Sequence, residues 1–242
     1  MPLPHHLSAS VYERVYELEF GSAYEQFTNT TLAALRSIVP SGGSIIDFGA
    51  GTGRLTIPLA TQGFQVTAVE QCSAMTDVLR QKAAAAALDV TVRTQPIADY
   101  FGDRQHDVGY CVFTVISYIV DDDELRRSIK AMARSIKAGG KLLIEVPRRE
   151  IFQSRLRGKK GSNLLGRVSI EMTTKDHFVY SENTDVTLTD GSTTTYTEHF
   201  SLRYWPSDYV MQLLGSAGCD CFEGPLCALQ WTGGDYFICT KH

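Results

Sequence analysis

Ile45-Ile46-Asp47-Phe48-Gly49-Ala50-Gly51-Thr52-Gly53-Arg54 is an apolar run of strand length that reaches a carboxylate and passes into three glycines at alternate positions. Glycines so spaced let the backbone turn sharply from strand to helix and bring its amides against a ligand with no side chain between them. The pattern is that of a cofactor loop, because a plain tight turn does not need this much glycine beside an acidic strand end. A dinucleotide fingerprint G-x-G-x-x-G would require glycine where Arg54 stands. The string reads D-x-G-x-G-x-G instead, which counts against a nicotinamide dinucleotide.

Working outward, residues 11–39 carry apolar and aromatic positions at helical spacing, interrupted near Gly21, which predicts two short helices. Pro40-Ser41-Gly42-Gly43 breaks that pattern before the strand. Beyond the loop the chain alternates. The spacing predicts a helix over 54–62 stopped by Gly63, a strand over 65–70, and an Ala-rich helix over 73–88 with Ser73 as its N-cap. Strands are expected over 90–95 and 107–115, then a helix over 121–138 with an acidic first turn, ended by Gly139-Gly140 before a strand over 141–146. Alternation of this kind, with continuously apolar strands, implies a parallel sheet covered on both faces. After Pro147 the period changes. Residues 148–167 are basic and Gly-containing and read as a loop or short helix. Residues 168–204 are dense in Thr, Val, Tyr and Phe, with a turn signal at Thr189-Asp190-Gly191-Ser192, and predict three or four antiparallel strands. Pro206 opens a last helix that Gly218 stops, and two strands near 220–223 and 235–240 close the chain.

With 242 residues, 43% hydrophobic and 21% charged, the chain is long enough for one large domain to bury a substantial core. The net charge of −4 supplies no basic field for a polyanion, so nucleic acid is disfavoured as a partner. The N-terminal stretch MPLPHHLSAS lacks a basic segment followed by an apolar run, and no uninterrupted membrane-length apolar stretch occurs, so the expectation is a cytoplasmic protein without a membrane partner. The six cysteines show no paired C-x-x-C spacing, and Cys219 and Cys221 are too close to bridge each other without strain. All six are therefore read as reduced thiols, and no metal is expected.

The D-x-G-x-G-x-G string at the end of a first strand resembles that of the class I S-adenosylmethionine-dependent methyltransferases. Lys137-Ala138-Gly139-Gly140-Lys141-Leu142-Leu143 is similar to the family's K-P-G-G-x-L-x turn, with alanine for proline. Trp205-Pro206-Ser207-Asp208-Tyr209 followed by Ala217-Gly218-Cys219 is similar to a closing segment of its small-molecule members. The resemblance covers residues 44–146 and, more loosely, about 200–242. It implies an α/β fold: a Rossmann-like, mostly parallel seven-stranded sheet with helices on both faces, plus an antiparallel β-rich insertion after strand five. One domain over 1–242 is expected, with N-terminal helices at 1–43, a cofactor-binding half at 44–147, the basic loop and insertion at 148–204, and the last helix and strands at 205–242. The implied cofactor is S-adenosylmethionine. Glu70, ending the second strand, would take the ribose hydroxyls, with Gln71 beside it, and Asp47 would support the loop and the methionine amino group. Gly49, Ala50, Gly51 and Gly53 form the loop. The family often has Asp after strand three; Gln95-Pro96-Ile97 stands here, making Gln95 and Ile97 the adenine candidates, with Phe113 in strand four a further cofactor-binding candidate.

Methyl transfer from a sulfonium is an in-line displacement that can rest on alignment and desolvation, so a dedicated base is optional. The catalytic residue stays open. Tyr118, just beyond strand four, and His199, in the insertion, are the candidates, against core packing for the first and a surface strand position for the second. Residues 107–113 hold no N-P-P-Y or D-P-P-Y string, and no Pro-Cys nucleophile occurs there. The layout resembles small-molecule N- or O-methyltransferases, including those acting on glycine or on nucleotide-linked amino sugars. Arg148, Arg149, Arg155, Arg157, Lys159, Lys160 and Arg167 form either a solvated loop or an anchor for an anionic acceptor. The exposed edges of the insertion suggest a homodimer through it. Two other readings are a catalytically silent cofactor-binding or assembly protein on the same fold and an NAD(P)-dependent oxidoreductase.

Overall fold

A computed structural model of the chain describes residues 3–102, 105–153, 155–161, 163–223 and 233–242, with backbone alone at 155–161 and 223. Two helices, α1 (Tyr12–Phe20) and α2 (Ser22–Ile38), precede the sheet, with Gly21 between them. The alternating half follows as β1 (Ser44–Phe48), α3 (Thr56–Thr61), β2 (Gln65–Glu70), α4 (Ser73–Ala85), β3 (Val90–Thr94), β4 (His106–Cys111), α5 (Asp122–Ser135) and β5 (Ile136–Pro147). An antiparallel hairpin stack comes next, β6 (Arg155–Gly161), β7 (Leu164–Met172), β8 (His177–Thr187) and β9 (Thr193–Arg203). The chain closes with α6 (Ser207–Ser216), β10 (Cys219–Glu223) and β11 (Gly234–Lys241). The main sheet has seven strands in the order β10-β11-β5-β4-β1-β2-β3, parallel from β5 to β3. Strand β11 runs antiparallel between β10 and β5.

The apolar strands bury both faces of this sheet. On one side Ile46, Phe48 and Ile144 pack against Leu125, Ile129 and Met132 of α5 and Val210 and Leu214 of α6. On the other, Ile45, Val108 and Tyr110 pack against Phe27, Leu32 and Leu35 of α2. Each such fully buried aliphatic side chain contributes about 1.5–3 kcal/mol. Asp121 caps α5 by accepting the Glu124 N–H at 2.8 Å, and the acidic first turn suits the helix dipole. Because the chain reverses at strand order 4-1, the carboxyl ends of β1 and β4 open a crevice, and the cofactor loop lies there. The second sheet turns one face inward: Phe178, Phe200 and Leu202 pack on Phe152, and Val186 and Tyr196 on Val11 and Val15 of α1.

Four local expectations are corrected. Residues 148–167 are neither a loop nor a single short helix: a 3-10 turn at Arg149–Phe152 leads into β6, whose basic residues are drawn into a strand by pairing with β7, from Arg155 opposite Ile170 to Gly161 opposite Leu164. Helix α5 ends at Ser135, three residues early, because Ile136 already pairs with His106. Ser73 is not the N-cap of α4; Cys72 holds that position, and its N–H is taken by the Glu70 carboxylate. The cysteines are not all thiols. Cys221 and Cys239 face each other across β10 and β11 with Cα atoms 3.8 Å apart and form a disulfide, a register that sequence separation hides. Cys72, Cys111 and Cys219 are free and buried.

Candidate active site

The strand β1 delivers Asp47 to the base of the loop, where it is buried and accepts the Thr56 hydroxyl proton at 2.6 Å. Burial pushes its carboxyl up to about 6, against the pull of the Thr56 hydroxyl and the Arg54 guanidinium. The loop itself is left-handed at Gly49 and Gly51, with φ +80° and +55°. The N–H groups of Gly49 and Ala50 donate to the Val69 carbonyl, tying the loop to β2. A side chain at Gly49 would collide with Val115, whereas one at Gly51 would meet nothing within 4 Å and would project into open space. At the end of β2, Glu70 Oε2 accepts the Gly51 N–H at 3.0 Å and Oε1 the Cys72 N–H at 2.8 Å. Its carboxyl is raised by burial, opposed by those same N–H groups. Arg54, the residue that breaks the dinucleotide fingerprint, lies over the rings of Phe113, Phe27 and Tyr24 at 4.5, 4.8 and 5.3 Å and donates to the Thr28 hydroxyl.

A cavity of about 120 Å³ opens along this loop. Of the residues proposed from sequence, it brings together Asp47, Gly49, Ala50, Gly51, Glu70, Gln71, Ile97, Phe113 and Tyr118. Gly53 and Gln95 are not in its wall. A side chain at Gly53 would press on Leu79 and Ile57, so that glycine serves packing of α3 against α4, and the Gln95 amide donates to the Asp99 carbonyl. The wall fits an adenosine-bearing ligand: a carboxylate for a vicinal diol, apolar Ile97 and Met75 for a base, and an open space over Gly51.

A second cavity, of about 310 Å³, lies between α1, α2, the turn after β4 and the inner face of the insertion. Its wall carries Tyr16, Tyr24, Phe27, Phe113, Tyr180 and Phe200, together with Glu19 and Glu182. Tyr180 and Phe200 stack with centroids 4.7 Å apart. Glu182 is buried and accepts hydroxyl protons from Tyr180 at 2.6 Å, Thr184 at 2.8 Å and Tyr196 at 2.5 Å. The two cavities meet at His5, Phe113 and Tyr118, which line both. Strand β4 stops at Cys111 rather than 115 because Phe113 and Thr114 adopt φ +67° and +63°. Glu145 of β5 holds that turn, accepting the N–H groups of Phe113 and of Thr114, the latter at 3.1 Å. Burial pushes the Glu145 carboxyl up to about 7, opposed by those two N–H groups. Among the described residues four non-glycines have positive φ, and His5, Phe113 and Thr114 of them line the cavities, which marks a strained functional surface.

His199 sits elsewhere. It is exposed on β9, with Nδ1 2.8 Å from the Ser181 hydroxyl, because strand alternation turns Glu198 and Phe200 inward and His199 outward. Sequence reasoning missed His5, Tyr16, Glu19 and Tyr24 of the N-terminal segment, and Glu182. The aromatic spacing of 12–27 was a visible signal, read only as helix packing. Among the described residues no group of His, Cys, Asp or Glu is arranged to hold a metal, and no helix is long and apolar enough to cross a membrane.

Comparison with known proteins gives the class. Residues 45–140 match the family model described as a methyltransferase domain. That segment is a methyltransferase domain, and the chain has the class I S-adenosylmethionine-dependent methyltransferase fold, with S-adenosylmethionine the cofactor of the class. More particularly, it resembles an S-adenosylmethionine-dependent methyltransferase from Clostridium acetobutylicum, with a TM-score of 0.82 at 14% identity over 96% of this chain and 98% of that one. It also resembles CalS10, an amino pentose methyltransferase from Micromonospora echinaspora solved with S-adenosylmethionine bound, with a TM-score of 0.76 at 20% identity over 96% and 97%. In sequence it is 30% identical over 139 residues to YqeM of Bacillus subtilis, which bears a methyltransferase name. That match takes 57% of this chain and 53% of YqeM, so the chain spans about half the length of the curated relatives it matches.

Proposed function

We propose that the protein transfers the methyl group of S-adenosylmethionine to a nitrogen of a small, amine-bearing acceptor held in the larger cavity. The observation that carries the reading is the wall of that cavity: nine phenylalanine and tyrosine rings and two carboxylates, with no lysine or arginine among the described residues that line it. Aromatic faces and carboxylates attract an ammonium, each cation–π contact contributing about 0.5–2 kcal/mol, and they disfavour an anion. The described members of the basic run support the same choice. Arg149 pairs with Asp176 at 2.7 Å, Arg148 lies 3.9 Å from Asp235, and Arg167 is exposed on β7. The side chains of Arg155, Arg157, Lys159 and Lys160 lie outside the described residues.

Asp47, Glu70 and the open backbone surface at Gly51 would hold the cofactor, which supplies a methyl group on an electrophilic sulfonium when bound. The chain's own residues then have three tasks. Phe113 and Tyr118, shared by both walls, set the boundary across which the acceptor approaches. The aromatic wall excludes water, and alignment of two bound reactants can supply about 7–11 kcal/mol of the barrier. Glu182, its oxygens fixed by three hydroxyls, orients an amine. CalS10 has the same fold, and the acceptor class here is argued from the cavity. The test is transfer of labelled methyl from S-adenosylmethionine to matched acceptors, an amino sugar and the corresponding sugar with hydroxyl in place of amine, read by mass spectrometry. Label on the amine nitrogen is expected; label on hydroxyl oxygen of the matched sugar overturns the nitrogen assignment.

A further inference from the structure

We propose that His5, acting through Tyr118, is the proton acceptor for the methyl acceptor. The proposal rests on the amine reading above, since an amine that enters as its ammonium must lose a proton before its nitrogen can attack. The N–H bond breaks with its electron pair left on nitrogen, the proton goes to the Tyr118 oxygen, and the Tyr118 hydroxyl proton passes to His5 Nε2. Neutral amine and imidazolium result, and no further reagent is needed.

Position is the first argument. Only three described residues line both cavities, and the two polar ones, His5 and Tyr118, lie within hydrogen-bond distance, Nε2 to hydroxyl oxygen 2.8 Å. A proton leaving an acceptor at that junction meets this pair. The second argument is how His5 is held. Its ring makes edge contacts with Tyr12, Tyr118 and Phe200, centroids 5.0, 5.5 and 5.0 Å away. Two residues on, the Leu7 and Ser8 N–H groups donate to Glu198 Oε1 at 3.0 and 2.9 Å, and Glu198 is only 2% exposed. A buried carboxylate of β9 thus clamps the N-terminal segment and sets His5 at φ +60°, a conformation a non-glycine residue keeps only when its surroundings enforce it. The third is chemical. Burial raises Tyr118, as do the nearby carboxylates Glu70, Glu182 and Glu198, so the phenol stays protonated at neutral pH and can pass a proton on only if another base receives it.

The titratable groups around the pair are Tyr12 and Tyr16 of α1, Glu70 of β2, Tyr180 and Glu182 of β8, and Glu198 of β9. Imidazole is the side chain suited to accept a proton in that setting near neutrality.

The experiment is nitrogen NMR of the histidine rings in the intact protein saturated with S-adenosylhomocysteine, at about pH 7.5 where a histidine near its ordinary pKa is neutral. The His5 signals are assigned by their loss in His5→Gln. The expected state is neutral, with the proton on Nδ1 and Nε2 in the accepting form; in Tyr118→Phe the Nε2 resonance shifts. A proton on Nε2, or an Nε2 resonance that ignores Tyr118→Phe, overturns the relay. If Tyr118→Phe does not fold, the tautomer in the unaltered protein decides alone. No methyl transfer enters this readout, so the relay can fail while the amine reading stands, and failure of the amine reading shows separately in the acceptor assay.

Discussion

Replacing Glu145 with glutamine should make the unliganded protein more stable at alkaline pH and nearly unchanged at acid pH. Glu145 is 3% exposed and its carboxylate carries the turn at Phe113 and Thr114 that separates the two cavities. Burial raises its pKa from 4.5 to about 7. The folded state therefore holds the proton more tightly than the unfolded chain, and the stabilisation this gives is complete below about pH 4.5 and is lost as pH rises through about 7. The distance between those values converts to roughly 3 kcal/mol. Glutamine keeps one oxygen to accept the two N–H groups and has no charge to desolvate. The two N–H groups already oppose the shift and are accepted by the amide oxygen as by the protonated acid, so the gain at about pH 8 is on the order of 3 kcal/mol by the same conversion. Urea unfolding of both proteins between about pH 5 and pH 8 measures it, with the difference isolating Glu145 from Asp47 and Glu70, which are also raised and titrate in both. Parallel stability profiles for the two proteins would refute the reasoning.

Glu70→Ala should weaken S-adenosylhomocysteine binding by about 1–3 kcal/mol, since it removes a charged acceptor, and should lower Tm by releasing the Gly51 and Cys72 N–H groups; calorimetry and thermal melts read the two effects. Cys221→Ser should cost about 3 kcal/mol under oxidising conditions, with the loss reproduced in the unaltered protein by a reductant, because Cys221 is bonded to Cys239 across a separation of 18 residues. His199→Ala should leave both cofactor affinity and methyl transfer unchanged, because the ring faces away from both cavities and bonds only to Ser181 among the contacts described; a fall in transfer rate would return His199 to the site.

The cofactor half of the site could be read in the sequence because its grammar is local. A strand ending in Asp47, a glycine loop, and a second strand ending in Glu70 place their groups by consecutive backbone geometry, and the structure puts these residues around one cavity. The acceptor half could not, because it depends on register. Whether Glu198 or His199 faces inward is a matter of one residue of strand alternation, and which strand covers which helix is set by pairings far apart in the chain. The Cys221–Cys239 bond and the strand β6 belong to the same class, each hidden until its partner strand is known. The helical spacing of 12–27 was legible as a helix pair, but the roof it forms with the insertion arises only when both are folded over the crevice.

The most direct test of the central claim, that the Gly49–Gly51 loop with Asp47 and Glu70 is an S-adenosylmethionine site, is calorimetric titration of the protein and of Gly51→Val with S-adenosylhomocysteine and with NAD. A valine at position 51 would enter the open space over the loop, from a backbone at φ +55° that favours glycine. The account predicts one saturable S-adenosylhomocysteine site in the unaltered protein, its loss in a folded Gly51→Val, and no binding of NAD. Full S-adenosylhomocysteine affinity in folded Gly51→Val, or saturable binding of NAD in its place, would contradict it.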